Sequence, residues 1–530
     1  MAQSSFMRKI LTVCVFFGVG QLLILLYGTR PKMGNVWESR RADKQMQRSH
    51  SDSRKYTSVG SSTQERDQLE KSQLGEPSLQ LADRNRIPNL YGNSTLKSRD
   101  SEVALSSREV KAALSESYNS VSYEARRATM TETFRFDGTW NSSFVSPKYH
   151  KHYDVNCSAI VHGDRRAVEA ANRLMKKSAG DSPVPPDDAV RNWTKDCGIF
   201  RRERRYPNQP QSMLEEEYPV AYIIVTHKDS AQVERLLRAI YQPQNVYCIH
   251  PDAKSSATFR SAIDGIASCF QNVFIASQVE DVQYAGFTRL QADINCMADL
   301  LRHPVQWHYV LNLCGQDFPL KTNLEIVRQL QVYSGKNDIS GVIPPPYIKG
   351  RTRAHHKIIN GKVTATRIRK SPPPYNLTIH FGNAYYAAAR PFVDYVINNA
   401  VAIDLLEWST DTFSPDEHYW GTLNRAPGVP GGYAHPTWDS NVRFMKWGDI
   451  KRHPPCQGKY VRALCVFGVG YLSYMSKVPH LFANKFYYSF DPVVLQCIED
   501  LLDFRTARPD AIDDFVPQFP VVDMVWQLND

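Results

Sequence analysis

The stretch Pro219–Asp252, PVAYIIVTHKDSAQVERLLRAIYQPQNVYCIHPD, decides the fold. Its opening run PVAYIIVTH reads as a buried strand. Ser230 then reads as the cap of an amphipathic helix through VERLLRAIY. NVYCIHPD is a second strand that ends in an acid. Further along, NVFIAS (272–277) is a third strand and RLQADINCMADLL (289–301) a helix. WHYVLNLCG (307–315) is a fourth strand, and LKTNLEIVRQL (320–330) another helix. Strand–helix alternation of this kind predicts an α/β domain with a mostly parallel central sheet flanked by helices on both faces. Ligands of such sheets sit at the carboxyl ends of the strands. The segments that matter are therefore THKDS (226–230), HPDAK (250–254) and CGQDF (314–318). Residues 341–375, rich in Pro, Gly and basic side chains, read as a long loop. No internal repeat is visible.

The chain has 530 residues, 42% hydrophobic and 22% charged. This excludes a collagen-like, wholly disordered or multi-span protein. The formal net charge is +10, from 64 Lys+Arg against 54 Asp+Glu. About half of the excess is spread through 30–150, where 20 basic residues face 15 acidic ones. Charge scattered that thinly suits a solvated tail better than a phosphate-tracking patch, and no nucleic-acid-reading module is present.

Residues 10–27, ILTVCVFFGVGQLLILLY, carry no charge. At 1.5 Å per residue they span about 27 Å, close to the hydrocarbon thickness of a bilayer. The run exceeds a typical signal peptide core, and no Ala-x-Ala site follows it. The expected organisation is a cytoplasmic tail (1–9), a transmembrane signal anchor (10–28), a mostly disordered stem (29–148), a catalytic domain (149–505) and a C-terminal tail (506–530). Within the stem, 103–115 reads as a short helix. Arg40, Arg41 and Lys44 beyond the apolar run argue for a cytosolic body by the positive-inside rule. The sequons at Asn93, Asn141, Asn156, Asn192 and Asn376 argue for the lumen. So do nine scattered cysteines outside the apolar run, which suit four bridges in an oxidising compartment.

No P-loop, G-x-S-x-G, H-E-x-x-H or C-x-x-C occurs. No Asp-x-Asp lies in the ordered region. Many nucleotide-sugar enzymes hold a divalent metal on such a pair, so fixed Arg or Lys cations would have to stabilise a leaving diphosphate here.

Five segments, SPDEHYW (414–420), LCGQDFPLKTN (313–323), RLQADINCM (289–297), PQNVYCIHPD (243–252) and LFANKF (481–486), resemble the vertebrate core-2 and I-branching β-1,6-N-acetylglucosaminyltransferases, glycosyltransferase family 14. The resemblance runs from about Asn156 to Cys497. NDISGVIPPP (337–346) and PGVPGGYAHPTWDSNVRFMKW (427–447) look nearer to the I-branching type. The resemblance implies a Golgi type II membrane enzyme with a GT-A-like fold and its catalytic domain in the lumen. It implies inverting, metal-independent transfer of GlcNAc from UDP-GlcNAc to a galactose or GalNAc 6-hydroxyl, branching poly-N-acetyllactosamine or mucin-type O-glycans.

On the same basis Glu417 is the catalytic base that takes the proton of the attacking hydroxyl. Ser414, Pro415, Asp416 and Glu417 also spell a helix capping box, the competing structural reading. Arg462 and Lys485 match the basic pair on the donor diphosphate. Asp252, at a strand end, suits the uracil or ribose, with a turn acid as its alternative; His227 and Tyr284 are further donor-site candidates. Arg351 and Trp447 align with acceptor contacts. Ser340, Ile348 and Asp449 depart from the core-2 pattern, so core-2 roles there are not carried over. The implied bridges are Cys157–Cys497, Cys197–Cys269, Cys248–Cys296 and Cys456–Cys465, with Cys314 free. The partners implied are UDP-GlcNAc, a glycan acceptor and the Golgi membrane, with no cofactor. Both a monomer and a homodimer stay open. The alternatives are a xylosyltransferase-like enzyme of the same fold and a catalytically silent, lectin-like binder.

Overall fold

The structure, a computed structural model, describes residues 149–177, 184–448 and 453–509. The apolar run at 10–28, the stem with its 103–115 helix, the sequons Asn93 and Asn141, and the tail beyond 509 lie outside the described residues. Among the described residues no helix is long and apolar enough to cross a membrane.

The strands are β1 (Val220–Thr226), β2 (Val246–Pro251), β3 (Val273–Ile275), β4 (Tyr309–Cys314), β5 (Asp317–Pro319), β6 (Asp338–Ile339), β7 (Ala354–Ile359), β8 (Lys362–Arg369), β9 (Tyr386–Ala389), β10 (Arg443–Met445), β11 (Lys459–Val461), β12 (Leu464–Val466) and β13 (Phe482–Asn484). The central sheet has the order β3-β2-β1-β4-β9-β6. β1 runs parallel to β2 and β4, and β2 parallel to β3, while β9 is antiparallel to both β4 and β6. The expected α/β architecture with a mostly parallel, helix-flanked sheet is therefore present.

All seven residues of β1 are buried. Val220, Tyr222 and Ile224 join one core; Ala221, Ile223 and Val225 join the other. The two faces alternate in space, so the sequence shows an unbroken apolar run rather than an alternating one. One core takes Leu236 and Leu237 from the helix Ser230–Ile240 and Phe259 from Ala257–Ser268. The other takes Leu290 from the helix Phe287–Arg302 and Phe392 from Arg390–Asn398.

Three local expectations change. Ser230 is the first residue of its helix, not its cap. Asp229 occupies the cap position in a left-handed conformation, and the Ser230 N–H and hydroxyl both donate to Asp187 Oδ1. Residues 341–375 are not a plain loop, because β7 and β8 form an antiparallel hairpin there. Its turn is Asn360–Gly361, both at positive φ (50° and 70°), the two-residue geometry that Asn-Gly favours. Ser414 makes no side-chain cap bond, and Pro415–Glu417 is a single 3₁₀ turn, so the capping box does not form. By contrast, Thr322 and Glu325 do form one, at the start of the helix Asn323–Tyr333.

All four implied disulfides are formed, and Cys314 is the free thiol among the described residues. Cys157–Cys497 joins the helix Cys157–His162 to the buried C-terminal helix Pro492–Ala507. Buried ion pairs join the helix Ser230–Ile240 to its neighbours. The Arg235 guanidinium donates twice to Glu499, at 2.8 and 2.5 Å. Glu234 accepts from Arg204 Nε at 2.8 Å and from the Tyr206 hydroxyl at 3.0 Å.

Candidate functional site

β1, β2 and β4 are parallel and end at Thr226, Pro251 and Cys314. Their carboxyl ends therefore lie on one edge of the sheet, and the three marked segments meet there. The Asp252 N–H donates to Thr226 O at 2.8 Å, and Ser255 Oγ donates to His227 O at 2.9 Å. The Asp252 carboxylate is buried. Its Oδ1 accepts from the N–H groups of Lys254 (3.1 Å) and Val282 (3.2 Å), and its Oδ2 lies 3.5 Å from Lys254 Nζ. Asp252 thus holds its own turn together and anchors the 280–282 segment. The His227 imidazole has its pKa lowered, first by burial and then by Lys228.

Tyr284 follows that segment. It is 67% exposed, and the Arg462 guanidinium lies over its ring at 4.3 Å. Arg462 and Ala463 form the turn between β11 and β12, both at positive φ (52° and 63°). Neither residue type favours that geometry, and strained backbone of this kind concentrates at functional sites. The Cys456–Cys465 bridge closes the hairpin. Lys485 follows β13 and is half-buried. Burial lowers its pKa; Cys314 raises it and Arg462 lowers it further. Lys228, from the first marked segment, sits 5.1 Å from the Tyr487 ring and also depresses Lys485. Lys228 is a third cation of this cluster that motif reading missed, although THKDS contains it.

Glu417 ends the 3₁₀ turn Pro415–Glu417. Its Oε2 pairs with Arg351 Nη1, and its Oε1 has no hydrogen-bond partner among the described residues. Arg351 lies on the short helix Gly350–Arg353, its guanidinium 5.2 Å from the centres of both the Phe381 and Phe413 rings. Two aromatic faces thus orient a cation that in turn orients the carboxylate. The Ser414 N–H donates to Ala285 O at 2.8 Å, which fastens this turn to the residue after Tyr284. The structure therefore brings Glu417, Arg351, Tyr284 and Arg462 into one linked arrangement.

Asp416 points the other way and is buried. Burial, opposed by Arg289 and assisted by Glu417, pushes its carboxyl up to about 7. Arg289 also pairs with Asp293 at 2.9 Å, and Asn312 Nδ2 on β4 donates to Asp293 Oδ2 at 3.0 Å. Asp293 thus links Arg289, whose charge acts on Asp416, to the central sheet. Arg289 opens the segment RLQADINCM, but sequence reading assigned it no role.

Trp447 is half-buried and bridges to Leu464 on β12. No hydrogen bond, ion pair or ring contact joins it to Arg351 or Glu417 among the described residues. The two acceptor candidates therefore sit on different elements. Of the sequons, the Asn156 side chain caps a helix by accepting from Ala159 N–H at 2.9 Å, while Asn192 and Asn376 are exposed. Among the described residues no group of three or more His, Cys, Asp and Glu side chains could hold a metal ion.

A family model described as Core-2/I-Branching enzyme matches residues 220–476. The chain is 43% identical over 366 residues to the Homo sapiens "Beta-1,3-galactosyl-O-glycosyl-glycoprotein beta-1,6-N-acetylglucosaminyltransferase 3", covering 66% of this chain and 83% of that relative. It is 45% identical over 339 residues to the Homo sapiens "N-acetyllactosaminide beta-1,6-N-acetylglucosaminyl-transferase", covering 63% and 84%. To the Mus musculus "Beta-1,3-galactosyl-O-glycosyl-glycoprotein beta-1,6-N-acetylglucosaminyltransferase 4" it is 40% identical over 363 residues, covering 66% and 79%.

Proposed function

The chain belongs to the Core-2/I-branching enzyme family, and we propose that it transfers GlcNAc from UDP-GlcNAc, in β-1,6 linkage, to a galactose or GalNAc 6-hydroxyl of poly-N-acetyllactosamine or a mucin-type O-glycan. One observation carries this reading. A half-exposed carboxylate, Glu417, is held by Arg351 and tied through Ser414, Ala285 and Tyr284 to the cation Arg462 at the carboxyl edge of the sheet.

The chemistry follows from the two kinds of charge. The acceptor oxygen attacks the anomeric carbon of GlcNAc as Glu417 Oε1 takes its proton. The bond from that carbon to the diphosphate breaks, and UDP leaves with the electron pair. Attack from the face opposite the leaving group inverts the anomeric centre. Arg462 and Lys485 offset the charge on the departing diphosphate, the work that a metal does in enzymes with an Asp-x-Asp pair. His227, Asp252 and Tyr284 are assigned to the donor end and Arg351 to the acceptor end, with Trp447, which bridges to β12, a second acceptor candidate apart from it. A GT-A-like nucleotide-sugar fold accords with the mixed sheet and with a site at its carboxyl edge. Four disulfides accord with a body in the secretory pathway, and the apolar run at 10–28 with a type II anchor in the Golgi membrane.

The test is transfer by the purified full chain, with UDP-GlcNAc and EDTA, to a core-1 disaccharide and to a linear poly-N-acetyllactosamine. Product linkage is read by NMR. A β-1,6 product on either acceptor supports the reading and selects the subtype. Bound UDP with no product on both overturns it in favour of another sugar transfer or a silent lectin.

A further inference from the structure

We propose that the β7–β8 hairpin is an acceptor subsite for a carboxylate-bearing acidic sugar on the glycan being extended. The inference rests on the glycan-transfer reading above and names a substrate class for the same site. No Asp or Glu occurs between Asp338 and Asp394, whereas Lys349–Lys370 holds eight Lys and Arg residues. Some of this charge is neutralised at the hairpin base. Arg351 pairs with Glu417, and Asp411 takes both Lys370 and His355. Arg353, Lys357, Lys362, Arg367 and Arg369 are exposed and have no ion-pair partner among the described residues.

A basic surface alone is usually just solvated. Here the cations alternate with large apolar side chains that also face water. Ile358 is 63% exposed, Ile359 51% and Ile368 60%. By the hairpin's register Ile358 shares one face with Arg367 and Arg369, while Ile359 and Ile368 share the other with Lys357 and Lys362. The first face suits an acidic sugar, which offers an apolar C–H face to Ile358 and an anion to the two arginines. Arg367 and Arg369 lie two residues apart on β8 and therefore on one face of the hairpin. A guanidinium fork matches a planar carboxylate through two parallel hydrogen bonds.

The placement connects this surface to the reacting atoms. The hairpin begins immediately after the helix that carries Arg351, the partner of Glu417. Its turn accepts a hydrogen bond at Gly361 O from Gln283 Nε2, at 2.7 Å, and Gln283 adjoins Tyr284. One end of the hairpin is thus fixed beside the carboxylate and the other beside the donor cluster. A glycan that delivers its 6-hydroxyl to Glu417 carries its neighbouring sugars along this arm.

The test is binding of the purified full chain to immobilised linear oligo-N-acetyllactosamine in three forms: capped with sialic acid, the same glycan after sialidase, and a sulfated version. The sialylated form should bind about tenfold more tightly than the neutral one, the equivalent of two or three exposed charge contacts. Added salt should erode that preference. The double variant Arg367→Gln/Arg369→Gln should reduce it without moving the melting temperature, and Lys357→Gln/Lys362→Gln, on the opposite face, should leave most of it. Equal binding of sialylated and neutral glycans, or a preference that survives Arg367→Gln/Arg369→Gln, overturns the proposal. Sulfated glycan bound as tightly as sialylated overturns the carboxylate assignment. Transfer to the neutral acceptor, measured alongside, separates the two readings. Transfer without an acidic preference removes the subsite alone, and an acidic preference without transfer keeps the subsite but counts against the enzyme.

Discussion

The Ser414 N–H donates to the Ala285 carbonyl at 2.8 Å, and both residues are left-handed, with φ of 47° and 58°. A non-glycine residue in that region costs roughly 1–2 kcal/mol. The bond therefore joins two strained points, one before Glu417 and one after Tyr284. Ser414→Gly should keep activity and leave stability equal or higher, because glycine accepts the conformation freely. Ser414→Val should lower kcat by about 10- to 100-fold through displacement of Glu417, with UDP affinity unchanged. Steady-state kinetics and a UDP titration check both. Full kcat in Ser414→Val would show that the strain serves no catalytic purpose.

Glu417 itself should behave as the proton acceptor. Glu417→Gln preserves shape and loses the base, so transfer should fall about 10²- to 10⁴-fold while UDP binding persists. Arg351→Lys should give a smaller loss than Glu417→Gln, because an ammonium cannot stack flat between Phe381 and Phe413 while pairing with the carboxylate. Steady-state kinetics beside a UDP titration make the comparison, and an unchanged kcat in Glu417→Gln would assign the base elsewhere.

Lys321 gives a prediction about stability. It is buried, and its Nζ donates to Val478 O at 2.9 Å. Burial, with Arg505 nearby, lowers its pKa to about 7. The unfolded chain then binds more protons than the folded one from about pH 7 up to the ordinary lysine range. Stability should therefore rise with pH across that window, and the cost of the buried charge should be fully present below it. Lys321→Met should raise the melting temperature most at acidic to neutral pH and flatten the profile. A variant whose profile keeps the wild-type slope would assign that slope to another group.

The central sheet was legible because β1, β2 and β4 are apolar on both faces and punctuated by helices with clear amphipathic patterns. β9 was not. Its sequence, YAAA, carries no strand signal, and backbone pairing to β4 and β6 sets its place, with the Asn312 side chain also accepting from Tyr386 N–H at 2.9 Å. The β7–β8 hairpin was missed for a different reason. Its isoleucines face water, so no buried face set the expected alternation, and basic composition outweighed the Asn360–Gly361 turn signal. In the candidate site, the motif SPDEHYW singled out Glu417, and Arg462 and Lys485 came from the family resemblance, Lys485 within LFANKF. Arg289 and Lys228 act across long sequence separations, on Asp416 and Lys485 respectively, and only the fold brings them there.

The Cys157–Cys497 bridge closes a separation of 340 residues. In the chain-entropy model a loop that long contributes on the order of 4–5 kcal/mol. Cys157→Ala/Cys497→Ala should lower the melting temperature more than removal of Cys456–Cys465, whose separation is 9. Calorimetry on the two double variants compares them directly. The reverse order would mean that other contacts of the C-terminal helix, such as Arg235–Glu499, already hold it in place without the bridge.

The donor cations make the last prediction. If Arg462 and Lys485 stabilise the leaving diphosphate, EDTA should leave the rate unchanged, and Arg462→Ala or Lys485→Ala should cost about 10²- to 10³-fold in kcat. A strict manganese requirement in the wild type would refute this division of work. The pH dependence discriminates further. Anion binding needs the protonated ammonium, and burial beside Arg462 lowers the Lys485 pKa. The charge is then lost at a lower pH than for an ordinary lysine, so UDP affinity should decline on the alkaline side. Lys485→Arg keeps its charge throughout that range. UDP titrations across alkaline pH should therefore show the decline in the wild type and a flat response in Lys485→Arg, whatever the absolute affinity of the variant. A decline of equal size in both would assign the loss of affinity to a group other than Lys485.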